Sequence, residues 1–63
     1  MSEIQMIKEI GSKKVLRIEQ WRDQWGSWRA GIEWYDRDNY EFVCEHPTLK
    51  ACLQEILKYM AAN

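Results

Sequence analysis

The chain has 63 residues, 46% hydrophobic and 30% charged, and its five Lys and four Arg against three Asp and seven Glu leave a net charge of −1. This length holds one domain, and the composition excludes a disordered chain, a polybasic nucleic-acid arm and an acidic DNA-mimicking surface. So short a chain buries only about 60% of its unfolded surface and is marginal unless a disulfide, a metal or an oligomer interface staples it; oligomerisation is the expectation, dimers being the commonest kind.

No run approaches about 18 apolar residues, so no segment is predicted to span a membrane. The start, Met1-Ser2-Glu3-Ile4-Gln5, is too polar for a signal peptide. Cys44 and Cys52 then read as reduced thiols, and a cytoplasmic protein is expected.

Residues 1–14 admit two readings. Ile4, Met6 and Ile10 alternate with polar residues, as in a strand, whereas Ile4, Ile7 and Ile10 suit one side of a short helix. A strand over about 4–10 is favoured, joined to the next by the turn Gly11-Ser12-Lys13-Lys14. Residues 15–21 form a strand with Leu16 and Ile18 on one face and Val15, Arg17, Glu19 and Trp21 on the other. After a loop with Gly26 as its flexible point comes the clearest strand, 28–35. Trp28, Ala30, Ile32 and Trp34 share one of its faces; Arg29, Gly31, Glu33 and Tyr35 share the other.

Asp36-Arg37-Asp38-Asn39 reads as a tight turn. Strict alternation in the strand 40–45 sends Tyr40, Phe42 and Cys44 inward and Glu41, Val43 and Glu45 outward. Pro47 and Thr48 open a helix over about 47–61, with an apolar stripe of Leu49, Cys52, Leu53, Ile56, Leu57, Tyr59 and Met60. The expected fold is α+β: an antiparallel meander of three to four strands with one C-terminal amphipathic helix packed on one face. Its expected core is Leu16, Ile18, Trp28, Ala30, Ile32, Trp34, Tyr40, Phe42, Cys44, Leu49, Leu53, Ile56 and Met60.

One helix leaves the other sheet face open. That face is either a solvated surface laced with ion pairs or an interface with Trp21 and Tyr35 as anchors beside Arg17 and Arg29. The segment from Trp21 to Arg29 holds three of the four tryptophans and interleaves them with Arg22 and Arg29. Trp28 is expected in the core. Trp25 either folds back over it or stands free to meet a protein or, through stacking, a single-stranded nucleic acid. The residues expected to bind a partner are Arg17, Trp21, Arg22, Trp25, Arg29 and Tyr35.

Cys44, His46 and Cys52 offer three soft metal ligands, one short of the four that a structural zinc site takes. A carboxylate or a second subunit would have to complete them, so two buried thiols and a helix-start histidine are expected, with no metal and no cofactor. Thiols on apolar faces are poor nucleophiles, and carboxylates on an open sheet lack the desolvation that general acid–base work uses. No enzyme is expected.

Residues 28–60, a hairpin feeding a helix that opens Thr48-Leu49-Lys50-Ala51-Cys52-Leu53, resemble the strand–strand–helix core of small phage and mobile-element proteins. The phage ABA-sandwich domains and the HicB-like antitoxins are similar in this respect. The resemblance transfers no functional residue. It implies a compact inhibitor or adaptor that occupies a host protein's surface, a defence or CRISPR nuclease being one such target. The resulting expectation is a non-enzymatic interaction module for a host protein, with a homodimer also compatible. A single-strand nucleic-acid binder is the alternative from a different class.

Overall fold

The computed structural model describes residues 1–20, 26–34 and 40–62, with Trp34 described by its backbone alone. The elements run α1 (Glu3–Gly11), β1 (Lys14–Gln20), β2 (Trp28–Trp34), β3 (Tyr40–His46) and α2 (Leu49–Ala62). The strands form an antiparallel sheet in the order β1-β2-β3. The class is α+β, as the sequence implies.

The N-terminal segment is a helix and not the strand expected over 4–10. Ser2 supplies the reason. Its hydroxyl accepts from the Gln5 amide at 3.1 Å, while the Gln5 side-chain oxygen accepts from the Ser2 amide at 2.8 Å. This reciprocal capping box satisfies two amides that a helix start otherwise leaves to solvent. Met6 and Ile10, four residues apart on one side, are fully buried. Ile4, which fits either reading of the sequence, and Ile7, which fits the helix alone, are exposed on α1. The chain leaves the helix through Ser12, whose hydroxyl donates to the Glu9 carbonyl at 2.8 Å.

Helix α2 starts where Thr48 Oγ1 accepts from the Ala51 amide at 3.2 Å. Its buried residues are Cys52, Leu53 and Ile56; Leu49, Leu57, Tyr59 and Met60 pack around them. This is the apolar stripe read from the sequence. Both helices lie on the same side of the sheet: α1 meets β1 and α2, and α2 meets β2 and β3. Between them and the sheet sits one cluster of Met6, Ile10, Ala30, Ile32, Cys44, Cys52, Leu53 and Ile56. Leu16, Ile18 and Trp28 pack against it as expected.

Strand β3 departs from strict alternation. Ala30 pairs with Cys44, yet the next residue, Gly31, pairs with Phe42, so Val43 is an extra residue in β3. A bulge of this kind inverts the facing of every residue beyond it. Cys44 stays in the core and Glu45 points outward, as alternation from the strand end requires. On the other side of the bulge the expected pattern is reversed. Tyr40 and Phe42, expected in the core, are 51% and 49% exposed. Val43, expected outward, packs against the core. Glu41, also expected outward, turns to the helix side, where it accepts a 2.6 Å hydrogen bond from the Tyr59 hydroxyl. Among the described residues, no helix is long and apolar enough to cross a membrane.

Candidate functional site

The sheet face away from the helices is left uncovered by the described elements. Its centre is Gly31, which has no side chain. A Cβ built there would lie 2.5 Å from Tyr40 Oη and 2.6 Å from Tyr40 Cε2 and would also meet the Glu41 carbonyl. The Tyr40 ring therefore fills the space that a side chain at Gly31 would occupy. A glycine within a strand commonly marks such a close approach or a bulge, and here it marks both.

Ion pairs frame the aromatics. Arg17 Nη2 and Nε donate to Glu33 Oε2 at 2.7 and 3.1 Å. The bond joins β1 to β2 diagonally across the sheet, since Arg17 pairs with Gly31 and Glu33 with Val15. Arg29 Nε lies 3.3 Å from Glu45 Oε2, its directly opposed partner on β3. The Arg29 guanidinium also stands 4.9 Å from the centroid of the Phe42 ring, in cation–π range. Together Arg17, Glu19, Arg29, Glu33, Tyr40 and Phe42 line most of an open groove of about 600 Å³. Paired guanidiniums next to exposed rings present flat, rigid, amphipathic area at little entropic cost.

Of the expected partner-binding residues, the structure brings Arg17 and Arg29 to this face. Trp21, Arg22, Trp25 and Tyr35 lie outside the described residues. Tyr40 and Phe42 belong to the face and were assigned to the core by alternation. The signal that could have revealed them is Gly31, an isolated glycine facing their strand in the middle of an otherwise regular one.

The inner side of the sheet holds a second cluster of chemically capable groups. Cys44 and His46 alternate on β3 and face α2, where Glu55 meets them: His46 Nε2 lies 3.2 Å from Glu55 Oε1. The Cys44 thiol donates to the Cys52 carbonyl at 3.6 Å, and the Cys52 thiol to the Trp28 carbonyl at 3.4 Å. Burial, and then the neighbouring Cys52 and Glu55, push the Cys44 thiol far above the ordinary range. Without a cation beside it, this thiol is a poor nucleophile at neutral pH. No family model, curated protein or solved structure matches the chain.

Proposed function

We propose that the protein is a non-enzymatic interaction module whose open sheet face docks on a partner protein. One observation carries this reading: the β3 bulge moves two large aromatics out of the core and onto a face that neither helix covers. Leaving Tyr40 and Phe42 half exposed forgoes part of the roughly 1.5–3 kcal/mol that full burial of a large side chain provides, in a chain that has little core to spare. Such an arrangement is understandable where the exposed rings are buried again by a partner. Tyr and Arg are among the residues that dominate interface energetics, and all the charged residues named on this face sit beside an aromatic or an opposite charge. The reading extends to Trp21, Arg22, Trp25 and Tyr35 through their sequence alone.

The charge pattern favours a protein over a nucleic acid. Arg17 and Arg29 are engaged by Glu33 and Glu45, and Glu19 adds a further carboxylate. A phosphate backbone approaching the rings would meet these anions first, with neither guanidinium free of a carboxylate. A folded protein of mixed surface charge can instead complement both signs. The narrower form, a small steric inhibitor of a host protein encoded by a phage, rests on the resemblance of residues 28–60 alone.

The test compares the immobilised wild-type chain with Phe42→Glu for capture from host lysate, with mass in solution and far-ultraviolet circular dichroism recorded for both. A captured protein that Phe42→Glu loses, at unchanged fold, is the expected result. Truncating an interface anchor costs about 2 kcal/mol or more, roughly thirtyfold in affinity. Equal capture by both chains removes this face from binding. A wild-type dimer that Phe42→Glu splits assigns the face to a second copy. Single-stranded DNA that quenches tryptophan emission in a steeply salt-dependent way moves the reading to nucleic acid.

A further inference from the structure

We infer that Cys44, His46 and Glu55 form a binding site for a divalent transition metal of the Zn2+ class. The thiol sulfur, the imidazole nitrogen and a carboxylate oxygen of these residues all lie within 4.8 Å of one another. His46 Nε2 and Glu55 Oε1 are already 3.2 Å apart. Tetrahedral zinc with Zn–N and Zn–O bonds of about 2.0–2.1 Å sets such a pair about 3.4 Å apart, and a thiolate at about 2.3 Å sits about 3.6 Å from its nitrogen neighbour. The nitrogen–oxygen edge is thus formed, and the sulfur lies within 4.8 Å of both atoms, against the about 3.6 Å that a bound thiolate takes.

The site is built by the fold. Cys44 and His46 are two apart on β3 and so share its inner face. Only Pro47 and Thr48 separate β3 from α2, which sends the helix straight back over that face and carries Glu55 to it. The sequence alone offers Cys52 as the third ligand, but its thiol is turned to the Trp28 carbonyl. The carboxylate that the sequence leaves unassigned is Glu55.

Charge supports the same conclusion. An ionised thiol buried at the position of Cys44 carries a desolvation cost. A divalent cation placed among the three reverses that cost. One thiolate and one carboxylate neutralise its charge, and the neutral imidazole completes the set. Binding breaks the Cys44 S–H bond and forms a metal–sulfur bond, with one proton passing to solvent. A thiolate in the set selects Zn2+, Co2+ or Cu+ over Mg2+ and Ca2+. Cys44 is buried, whereas the side chains of His46 and Glu55 are 33% and 44% exposed. The metal therefore enters from the solvent side, and that side leaves the fourth position to water.

The experiment is a titration of the reduced, chelator-treated protein with Co2+, followed by absorbance. The expected result is thiolate-to-cobalt charge-transfer absorption and tetrahedral visible bands that saturate at one equivalent per chain, disappear on adding Zn2+, and accompany release of about one proton. His46→Ala and Glu55→Gln, both at half-exposed positions, are expected to retain the native circular dichroism and lose the tight one-equivalent phase. Cys44→Ser is expected to lose the charge-transfer band. No charge-transfer absorption at equimolar Co2+ overturns the proposal. So does a band of undiminished affinity in both His46→Ala and Glu55→Gln.

Discussion

At Gly31 the missing side chain is a structural requirement. The Tyr40 ring and the Glu41 carbonyl occupy the volume of its absent Cβ. Gly31→Ala would ordinarily gain from the lower entropy of the unfolded chain. Here the added methyl forces the bulged strand away from β2, and overpacking of this kind costs about 1–3 kcal/mol. A lowered urea midpoint at unchanged m-value is the expected outcome; a raised midpoint would mean that Tyr40 does not lie over Gly31. One thiol and one hydroxyl lower stability at alkaline pH. Burial, followed by Cys52 and Glu55, raises the Cys44 pKa; the hydrogen bond to Glu41, followed by desolvation, raises that of Tyr59. In the unfolded chain these groups ionise at about 8.5 and 10. Above those values the unfolded chain has shed protons that the native chain still holds. Stability is therefore complete below them and falls as pH rises through the interval to each raised native value. With chelator present, stability is expected to decline as pH rises above about 8.5. Cys44→Ala should remove the first part of that decline, and Tyr59→Phe the later part. A slope unchanged by Cys44→Ala would contradict the assignment.

Among the elements, α1 depends most on two short-range bonds. With nine residues it is too short to be stable in isolation. The capping box fixes its start, and Met6 and Ile10 hold it to the core. Ser2→Ala is expected to lower stability by about 1 kcal/mol, within the usual range for a lost N-cap. Thermal unfolding checks this, with Ser2→Gly as the milder control; equal midpoints for wild type and Ser2→Ala would place the start of the helix elsewhere. The Ser-x-x-Gln spacing of Ser2 and Gln5 is a helix-start signal that the reading by alternation passed over. Strands β1 and β2 and helix α2 were read correctly because their apolar periodicity continues without interruption through each element. Strand β3 was located correctly but faced wrongly in its first half. Alternation is a local rule, and one extra residue at Val43 inverts it without altering composition or strand propensity.

At the scale of the whole molecule, both helices cover one side of the sheet and leave the other to Tyr40, Phe42, Arg17 and Arg29. The sequence was sufficient to identify the open face and its two arginines, because one amphipathic helix could cover only one side. It could not identify the aromatics at the centre of that face, since Tyr40 and Phe42 reach it only through a pairing shift between distant residues. The Cys44–His46–Glu55 cluster was half legible for a related reason. Cys44 and His46 are neighbours in the chain, whereas Glu55 joins them only when α2 folds back over β3. The facing of Phe42 underlies both the core and the proposed interface, and equilibrium unfolding of Phe42→Glu tests it without a partner. With Phe42 on the open face beside Arg29, the new carboxylate meets a guanidinium, and stability should stay within about 0.5–1 kcal/mol of wild type at unchanged m-value. Were Phe42 in the core, as strict alternation would have it, a buried carboxylate and the lost ring would together cost more than about 3–5 kcal/mol. The cooperative transition would then be lost, and with it the reading of this face as a docking surface.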